Sequence, residues 1–221
     1  MFPNWLALSL AFVYVGVAIA LGEMLRKAFR LSQGFTRKFI HVAVGMISVP
    51  TVLWFSDLRW AVIPPLAFVV INTLDYRFGL IQAMMSSNRS NLGTVYFPLS
   101  FAAILILFWG NPSAPTEHPR LIVAALMPLT WGDALAAVIG ERFGKWRYPI
   151  VGQSRSLEGT GVMFVVSAAA TWLALGPSSP GAPATALGVA IGAALAESVS
   201  PWGIDNLTVP AVSAIILALL R

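Results

Sequence analysis

The feature that most constrains the fold of this chain is a succession of long apolar runs separated by short polar segments. The runs cover residues 5–25, 39–55, 60–74, 93–109, 121–139, 160–175, 182–196 and 207–220. A helix needs ~20 residues to cross the hydrocarbon of a bilayer, and irregular backbone is not tolerated in contact with lipid. We therefore predict an all-α, polytopic integral membrane protein with about eight transmembrane helices. Seven helices is the alternative, because the third, seventh and eighth runs are short.

The composition agrees with this interpretation, since 57% of the 221 residues are hydrophobic and 10% are charged. Soluble domains carry about 25% charged residues. The segments between the runs are too short to hold a soluble domain, so we predict a single transmembrane domain over residues 1–221. The chain contains no cysteine, which excludes disulfides, thiolate metal sites and thiol nucleophiles.

The basic residues are distributed unevenly between the two sides of the predicted membrane. Of the 14 Lys and Arg residues, all but Arg59, Arg120 and Arg221 fall in the first, third and fifth connecting segments. The positive-inside rule predicts that these segments face the cytoplasm, and we expect a prokaryotic inner-membrane protein. The net charge of +5 lies on one face without a nucleic-acid-binding fold. It therefore favours lipid headgroups or nucleotide phosphates over nucleic acid.

Carboxylates occur where apolar runs would normally exclude them. Glu197, Asp205 and Asn206 stand between two apolar runs, and Asp133 lies about 9 Å inside the end of its own run. A charge near hydrocarbon costs at least roughly 2.5 kcal/mol, so such groups usually pair, bind an ion or face a water-filled cavity. We predict a metal or substrate role for Asp133. The alternative is an ion pair with an arginine that locks two helices together.

Small residues follow Asp133 on one predicted helical face, namely Ala137, Gly140 and Gly144. This strip leaves room for a ligand or for a closely packed neighbouring helix. Gly188 and Gly192 form a second small-residue pair, which predicts helix packing.

Two segments combine basic and polar residues near predicted helix ends. Lys145 ends a Gly-rich segment that is not a Walker loop, because Trp146 stands where Ser or Thr would hold magnesium. Lys145 still offers a charge to a phosphate, with an ordinary basic helix end as the alternative. Arg155 and Ser156 precede the sixth run, where a helix N-terminus favours an anion, or where a serine simply caps the helix. Glu158 suits a metal better than an anion.

A third basic cluster, Arg37, Lys38 and His41, lies at the start of the second run, with Arg37 and His41 one helical turn apart. His41 is a candidate proton carrier or phosphate donor, and a purely structural hydrogen-bonding role is the alternative. Asn72 and Asp75 end the third run and are weak signals on their own.

Five elements occur in a fixed order along the chain. They are Arg-Lys-x-x-His at 37–41, Gly-Thr-Val-Tyr-Phe-Pro-Leu at 93–99, Gly-Asp at 132–133 with Gly-x-x-x-Gly-Lys at 140–145, Arg-Ser-x-Glu-Gly at 155–159, and Asp-Asn-Leu-Thr-Val-Pro at 205–210. Together they resemble the polyprenol kinase family, which includes phytol, farnesol and dolichol kinases and is related to the phosphatidate cytidylyltransferases. The last element is the most specific and looks most like the phytol kinase branch. Arg155 stands where the family usually has Lys, and Leu157 where an aromatic is common.

The resemblance implies transfer of the γ-phosphoryl group of CTP, or of UTP or ATP, to the hydroxyl of a membrane isoprenoid alcohol such as phytol or geranylgeraniol. It implies Mg²⁺ bound by Asp133 and Asp205, with Glu158 as a third ligand, and a catalytic role for these carboxylates and His41. The residues assigned to the nucleotide are Arg37, Lys38, Lys145, Arg155, Ser156 and Asn206. An apolar groove between helices would hold the prenyl tail.

Two other functions are compatible with the same residues. The first is a cytidylyltransferase, in which the metal and CTP face a lipid phosphate instead of a hydroxyl. The second is a small ion-coupled transporter with intramembrane acids as ion ligands. Transport is disfavoured, because no inverted repeat is apparent and the acidic motifs gather at one membrane face rather than at the midplane.

Overall fold

The computed structural model describes residues 2–79, 91–109 and 118–220, and these are mostly α-helical. The helices are α1 (Asn4–Phe29), α2 (Gln33–Gly45), α3 (Ser48–Trp54), α4 (Leu58–Ala61), α5 (Ile63–Phe78), α6 (Gly93–Trp109), α7 (His118–Met127), α8 (Ala134–Phe143), α9 (Leu157–Leu175), α10 (Ala182–Val199) and α11 (Asp205–Leu220). A π-helical segment, Pro128–Asp133, joins α7 to α8, and the strands β1 (Arg147–Ile150) and β2 (Gln153–Ser156) form a hairpin before α9.

The described ranges confirm the prediction of an all-α polytopic membrane protein. Five helical segments are long and apolar enough to cross a membrane: Asn4–Phe29, Leu58–Phe78, His118–Phe143, Leu157–Leu175 and Ala182–Val199. Two shorter apolar helices, α6 and α11, and the interrupted pair α2 and α3 coincide with the remaining predicted runs. Each predicted run therefore corresponds to a helical segment.

Several helices extend beyond the predicted runs. Helix α2 begins at Gln33, α5 continues to Phe78, and α10 continues to Val199. Polar residues that the sequence pattern put at the ends of runs consequently lie within helices. The apolar criterion misses these turns because it detects lipid-facing side chains, whereas the added turns carry side chains that face a polar cavity.

The segment from α7 to α8 is the central element of the bundle, since 67% of its most apolar stretch is buried inside the protein. Its π-helical turn lies against Gly45, the last residue of α2. A Cβ on Gly45 would lie 2.5 Å from Thr130 Oγ1, so only glycine allows this approach. The predicted packing role of the second small-residue pair is also confirmed, since a Cβ on Gly192 would lie 2.5 Å from Ile216 Cδ1 of α11.

The polar ends of many elements meet at one end of the bundle, which we call the polar end. The C-terminal ends of α5, α8 and α10, the N-terminal ends of α2, α6, α9 and α11, and the hairpin all contribute to it. Helices α6 and α11 have 17 and 16 residues, which span only about 25 Å. Their first residues line a cavity, so they begin at the floor of that cavity.

Candidate active site

A cavity of about 810 Å³ opens at the polar end. This volume is in the range of small-molecule sites, which is roughly 300–1,000 Å³. Its polar and charged lining includes Arg37, Lys38, His41, Asn72, Asp75, Arg77, Asp133, Glu141, Arg147, Arg155, Glu197, Asp205 and Asn206. The structure thus brings together predicted site residues from spans that are far apart in sequence.

Asp133 lies at the end of the π-helical segment and is almost fully buried. One of its oxygens, Oδ2, accepts a hydrogen bond from Lys38 Nζ at 2.6 Å and lies 3.8 Å from His41 Nε2. The ion pair predicted as an alternative role therefore exists, although its cation is Lys38 rather than an arginine. It links α2 to the central helical segment across the edge of the cavity.

His41 is held by two contacts that orient its ring. Its Nε2 lies 2.9 Å from the carbonyl oxygen of Leu129, and because a carbonyl can only accept, Nε2 carries the hydrogen. The ring packs edge-on against Phe97, with 5.0 Å between centroids. Nδ1 is therefore the nitrogen that remains able to exchange a proton.

Arg155 joins two buried carboxylates on different helices. Its Nη1 donates to Glu197 of α10, and its Nη2 donates to Asp205 Oδ2 of α11 at 2.8 Å and to the carbonyl of Ser200 at 3.1 Å. Two carboxyl groups share one cation here, so the cluster carries an excess negative charge when both are ionised. The second carboxylate oxygen of Glu197, Oε2, is buried with no hydrogen-bond partner among the described residues. Buried charge of this kind is costly unless a further cation compensates it.

The hairpin positions Arg155. Arg155 pairs with Tyr148 across the two strands, and the two-residue turn between them contains Gly152 with φ +74°. A Cβ on Gly152 would lie 2.7 Å from Trp202 Nε1, so a glycine is required where the turn packs on the α10–α11 connection. The sequence pattern does not predict the hairpin, because the four-residue strands lack a clear alternation of polar and apolar residues.

Asn206 ties α6 to the start of α11. Its Nδ2 donates to Asp205 Oδ1 at 2.7 Å, and its carbonyl accepts from Ser100 Oγ of α6 at 2.5 Å. The backbones also approach closely at Gly203, where φ is +83° and a Cβ would lie 2.6 Å from the nitrogen of Gly93. The amide of Asn206 therefore orients Asp205 and fixes the floor of the cavity.

The structure does not bring Glu158 or Lys145 to the cavity. The Glu158 carboxylate accepts hydrogen bonds from the backbone N–H groups of Lys145 and Trp146, the shorter at 2.9 Å, and neither Glu158 nor Lys145 belongs to the cavity lining. Ser156 does line the cavity, but its Oγ caps α9 by accepting from the N–H of Gly159 at 3.1 Å.

The small residues after Asp133 serve mainly to bring helices together. A Cβ on Gly144 would lie 2.6 Å from Ser156 Oγ, and one on Gly140 would lie 2.9 Å from the same atom. Of the two predicted roles for this strip, close helix packing therefore accounts for both glycines. Ala137 and Gly140 also border the cavity, so the packed strip forms part of its wall.

Three arginines line the cavity without a carboxylate within ion-pair distance in the described part of the chain. They are Arg37, Arg77 and Arg147, and Arg147 makes only long contacts of 3.4 Å with the carbonyls of Gly140 and Glu141. Unpaired guanidinium groups are available to phosphate oxygens, whereas Lys38 and Arg155 are already paired with carboxylates.

No group of three or more His, Asp or Glu side chains within residues 2–79, 91–109 and 118–220 is arranged to hold a metal. Mg²⁺ bound together with a nucleotide would not require such a group, because Mg²⁺ is usually held by one or two carboxylates plus substrate phosphates. Asp133, Asp205 and Glu197 supply suitable oxygen donors. Glu197 was not assigned to the site from the sequence, although its position at the end of an apolar run was the available signal.

We predict that Arg155→Ala strongly destabilises the protein, because it leaves Glu197 and Asp205 buried without their cation. Breaking a buried pair costs about 3–5 kcal/mol, whereas exposed pairs contribute about 0–1 kcal/mol. The matched control is Arg59→Ala, since the Arg59 side chain is 88% exposed in its pair with Asp57. Thermal unfolding in detergent should show a large loss for Arg155→Ala only. Equal midpoints for the two variants would contradict the assignment.

Comparison with known proteins reveals two similar enzymes. The chain is 33% identical over 218 residues to the phytol kinase of Synechocystis sp., and this match covers 97% of the chain and 91% of that protein. It is 27% identical over 147 residues to a probable chloroplastic phytol kinase of Triticum aestivum, covering 61% of the chain and 46% of that protein. No protein-family model matches the chain, and no solved structure is significantly similar to it.

Proposed function

The chain belongs to the phytol kinase group of the polyprenol kinase family, and we propose that it transfers the terminal phosphoryl group of a nucleoside triphosphate to the hydroxyl of an isoprenoid alcohol. The observation that carries this proposal is the cavity at the polar end. It combines unpaired arginines for phosphates with buried carboxylates, and it lies in a helical bundle apolar enough to sit in a bilayer.

We assign the phosphates to the unpaired arginines of the cavity. Arg37, Arg77 and Arg147 come from three different elements, so together they can surround a polyphosphate. Planar guanidinium groups bind phosphate oxygens through paired hydrogen bonds. CTP is the donor that the family resemblance favours, with UTP and ATP as alternatives.

We assign Mg²⁺ to Asp133 and Asp205, with Glu197 as the neighbouring carboxylate. The excess negative charge around Arg155 and the unpartnered Oε2 of Glu197 support a divalent cation at this place. When bound, Mg²⁺ would neutralise charge on the phosphate oxygens. Glu158 does not enter this assignment, because its carboxylate is occupied by backbone N–H groups away from the cavity.

The protein's own residues would then position the reactants. Lys38 holds Asp133, and Arg155 holds Asp205, so neither carboxylate can rotate freely. The alcohol oxygen forms the new bond to the terminal phosphorus, the bond from that phosphorus to the bridging oxygen breaks, and the nucleoside diphosphate leaves. Nδ1 of His41 and the carboxylate of Asp133 are the groups suited to accept the proton of the hydroxyl.

We propose that the polar end faces the cytoplasm, where nucleoside triphosphates are available. The uneven distribution of basic residues supports this orientation. A cysteine introduced at Ser32 should be labelled by an impermeant thiol reagent only from the cytoplasmic side, and one at Ser179 only from outside. Labelling of both positions from the same side would contradict the orientation.

Isotopic labelling of the nucleotide separates the kinase from the cytidylyltransferase alternative. With phytol as acceptor, label from the γ-phosphate of CTP should enter the lipid fraction, and CDP should appear. Label from the α-phosphate should stay out of the lipid. A cytidylyltransferase acting on phosphatidate would incorporate α-label and release pyrophosphate, so α-label without γ-label would refute the kinase.

The assignment of phosphates to the unpaired arginines predicts a contrast between two neighbouring basic residues. Arg147→Gln should raise the KM for the nucleotide by roughly tenfold to a hundredfold, because a charge-assisted contact with phosphate contributes about 1.5–3 kcal/mol and about 1.4 kcal/mol corresponds to a factor of ten. Lys145→Gln should change it less than about twofold, because Lys145 lies outside the cavity lining. Steady-state kinetics with varied CTP measure both. A larger effect at Lys145 would overturn the assignment.

A further inference from the structure

Four large apolar side chains are exposed at the hairpin and at the two helix ends that flank it. They are Phe143 at the end of α8, Trp146 before β1, Val151 in the turn and Leu157 at the start of α9, with exposed fractions of 56%, 71%, 65% and 55%. We call these four residues the apolar rim. Exposed apolar groups that lie together usually mark a surface that something else covers.

The apolar rim continues the lipid-facing surface of α9. Leu157 and Val165 are exposed along this helix, which is long and apolar enough to cross a membrane. The hairpin is tied to the first turns of the same helix. The carbonyl of Trp146 accepts a hydrogen bond from the N–H of Leu157 at 2.9 Å, and the hydroxyls of Tyr148 and Thr160 are 2.7 Å apart. The hairpin therefore lies directly beside the point where the lipid-facing surface of α9 begins.

Basic side chains accompany the apolar rim, whereas the neighbouring acidic side chains have other surroundings. Arg142 and Lys145 are exposed, and neither has a carboxylate within ion-pair distance among the described residues. The guanidinium carbon of Arg142 lies 5.5 Å from the centre of the Phe143 ring. Glu141 borders the polar cavity, and the Glu158 carboxylate accepts hydrogen bonds from backbone N–H groups. The outer surface thus combines apolar groups with unpaired positive charge.

This combination matches the interfacial region of a bilayer. Tryptophan is enriched at the level of the headgroups, and segments that lie in the interface pair Trp, Phe and Leu with Lys and Arg. Basic residues next to a membrane span are attracted to anionic headgroups. A protein partner could also cover apolar side chains, but it would not explain why they continue the lipid-facing surface of α9.

We propose that the hairpin is an interfacial membrane anchor. The apolar rim inserts at the level of the headgroups, and Arg142 and Lys145 bind anionic headgroups of the same leaflet. The same hairpin carries Arg155, which holds Glu197 and Asp205, so contact with the membrane also restrains the residue that joins α10 and α11 at the cavity. This role of the hairpin is independent of phosphoryl transfer.

The insertion is tested with spin labels, because the chain has no native cysteine. Phe143→Cys, Trp146→Cys and Val151→Cys each place a nitroxide on the apolar rim of the full-length protein in nanodiscs. Ser154→Cys is the control, since Ser154 is an exposed polar residue of the same hairpin and borders the polar cavity. Power-saturation electron paramagnetic resonance compares collisions with O₂, which concentrates in the bilayer, and with a neutral, water-soluble nickel chelate.

The ratio of O₂ to nickel collisions should be at least roughly threefold higher at the three rim positions than at Ser154, because interfacial segments bury their apolar side into the headgroup and acyl boundary. Equal ratios at all four positions would overturn the anchor. Loss of collisions with both probes at the rim, together with dipolar broadening between labels, would also overturn it, because a second copy of the chain would then cover the rim.

Lipid composition tests the assignment of the two basic residues. With the label at Val151, replacing part of the phosphatidylcholine by phosphatidylglycerol should lower nickel collisions at least about twofold, since basic residues draw the segment toward anionic lipid. The double variant Arg142→Gln/Lys145→Gln should lose this dependence. The matched control Lys27→Gln/Arg30→Gln, which removes two exposed cations from the end of α1, should keep it. An unchanged dependence in the first double variant would overturn the role of Arg142 and Lys145.

These measurements use neither a nucleotide nor an alcohol, so they separate the anchor from the proposed function. Insertion of the rim in a protein that phosphorylates no alcohol would refute the kinase and support the anchor. Phosphorylation of phytol by a protein whose rim faces water would support the kinase and refute the anchor.

Discussion

The pairing of charges inside an apolar bundle is the constraint on which the rest of this structure depends. Arg155 joins Glu197 and Asp205, which are 42 and 50 positions away in the sequence, and Lys38 joins Asp133 across 95 positions. Charges at this depth are tolerated only when paired, so these contacts fix which helices are neighbours at the polar end. They hold the hairpin to α10 and α11, and α2 to the central helical segment.

The same ion pairs border a cavity in which acidic and basic side chains occupy different places. Carboxylates with an excess of negative charge lie at its floor, and unpaired arginines line its walls. In the proposed kinase, the arginines would hold the nucleotide and the carboxylates would hold its metal. Under the proposed function, the lipid tail stays in an apolar environment while its hydroxyl reaches the phosphate.

The sequence was sufficient to predict the transmembrane helices, but not the hairpin before α9 or which charged side chains pair with each other. Apolar runs reveal transmembrane helices because lipid imposes the same requirement on every span, and Asp133 and Asp205 stand out because acids are rare in such runs. Glu197 was set apart by its position at the end of an apolar run but was not assigned to the site, because its contact with Arg155 and its unpartnered oxygen are visible only in the tertiary structure. Glu158 was assigned to the metal from a short local motif. In the folded protein its carboxylate instead accepts hydrogen bonds from the backbone N–H groups of Lys145 and Trp146.

Binding of a divalent metal tests the central claim most directly, because the claim is that Asp133 and Asp205 serve one metal–nucleotide site. Electron paramagnetic resonance can follow Mn²⁺, as a probe for Mg²⁺, in the presence of CTP. We predict about one bound Mn²⁺ per chain, with affinity at least roughly tenfold lower in both Asp133→Asn and Asp205→Asn, and unchanged in Glu158→Gln. Undiminished binding in either Asn variant, or loss of binding in Glu158→Gln, would contradict the account.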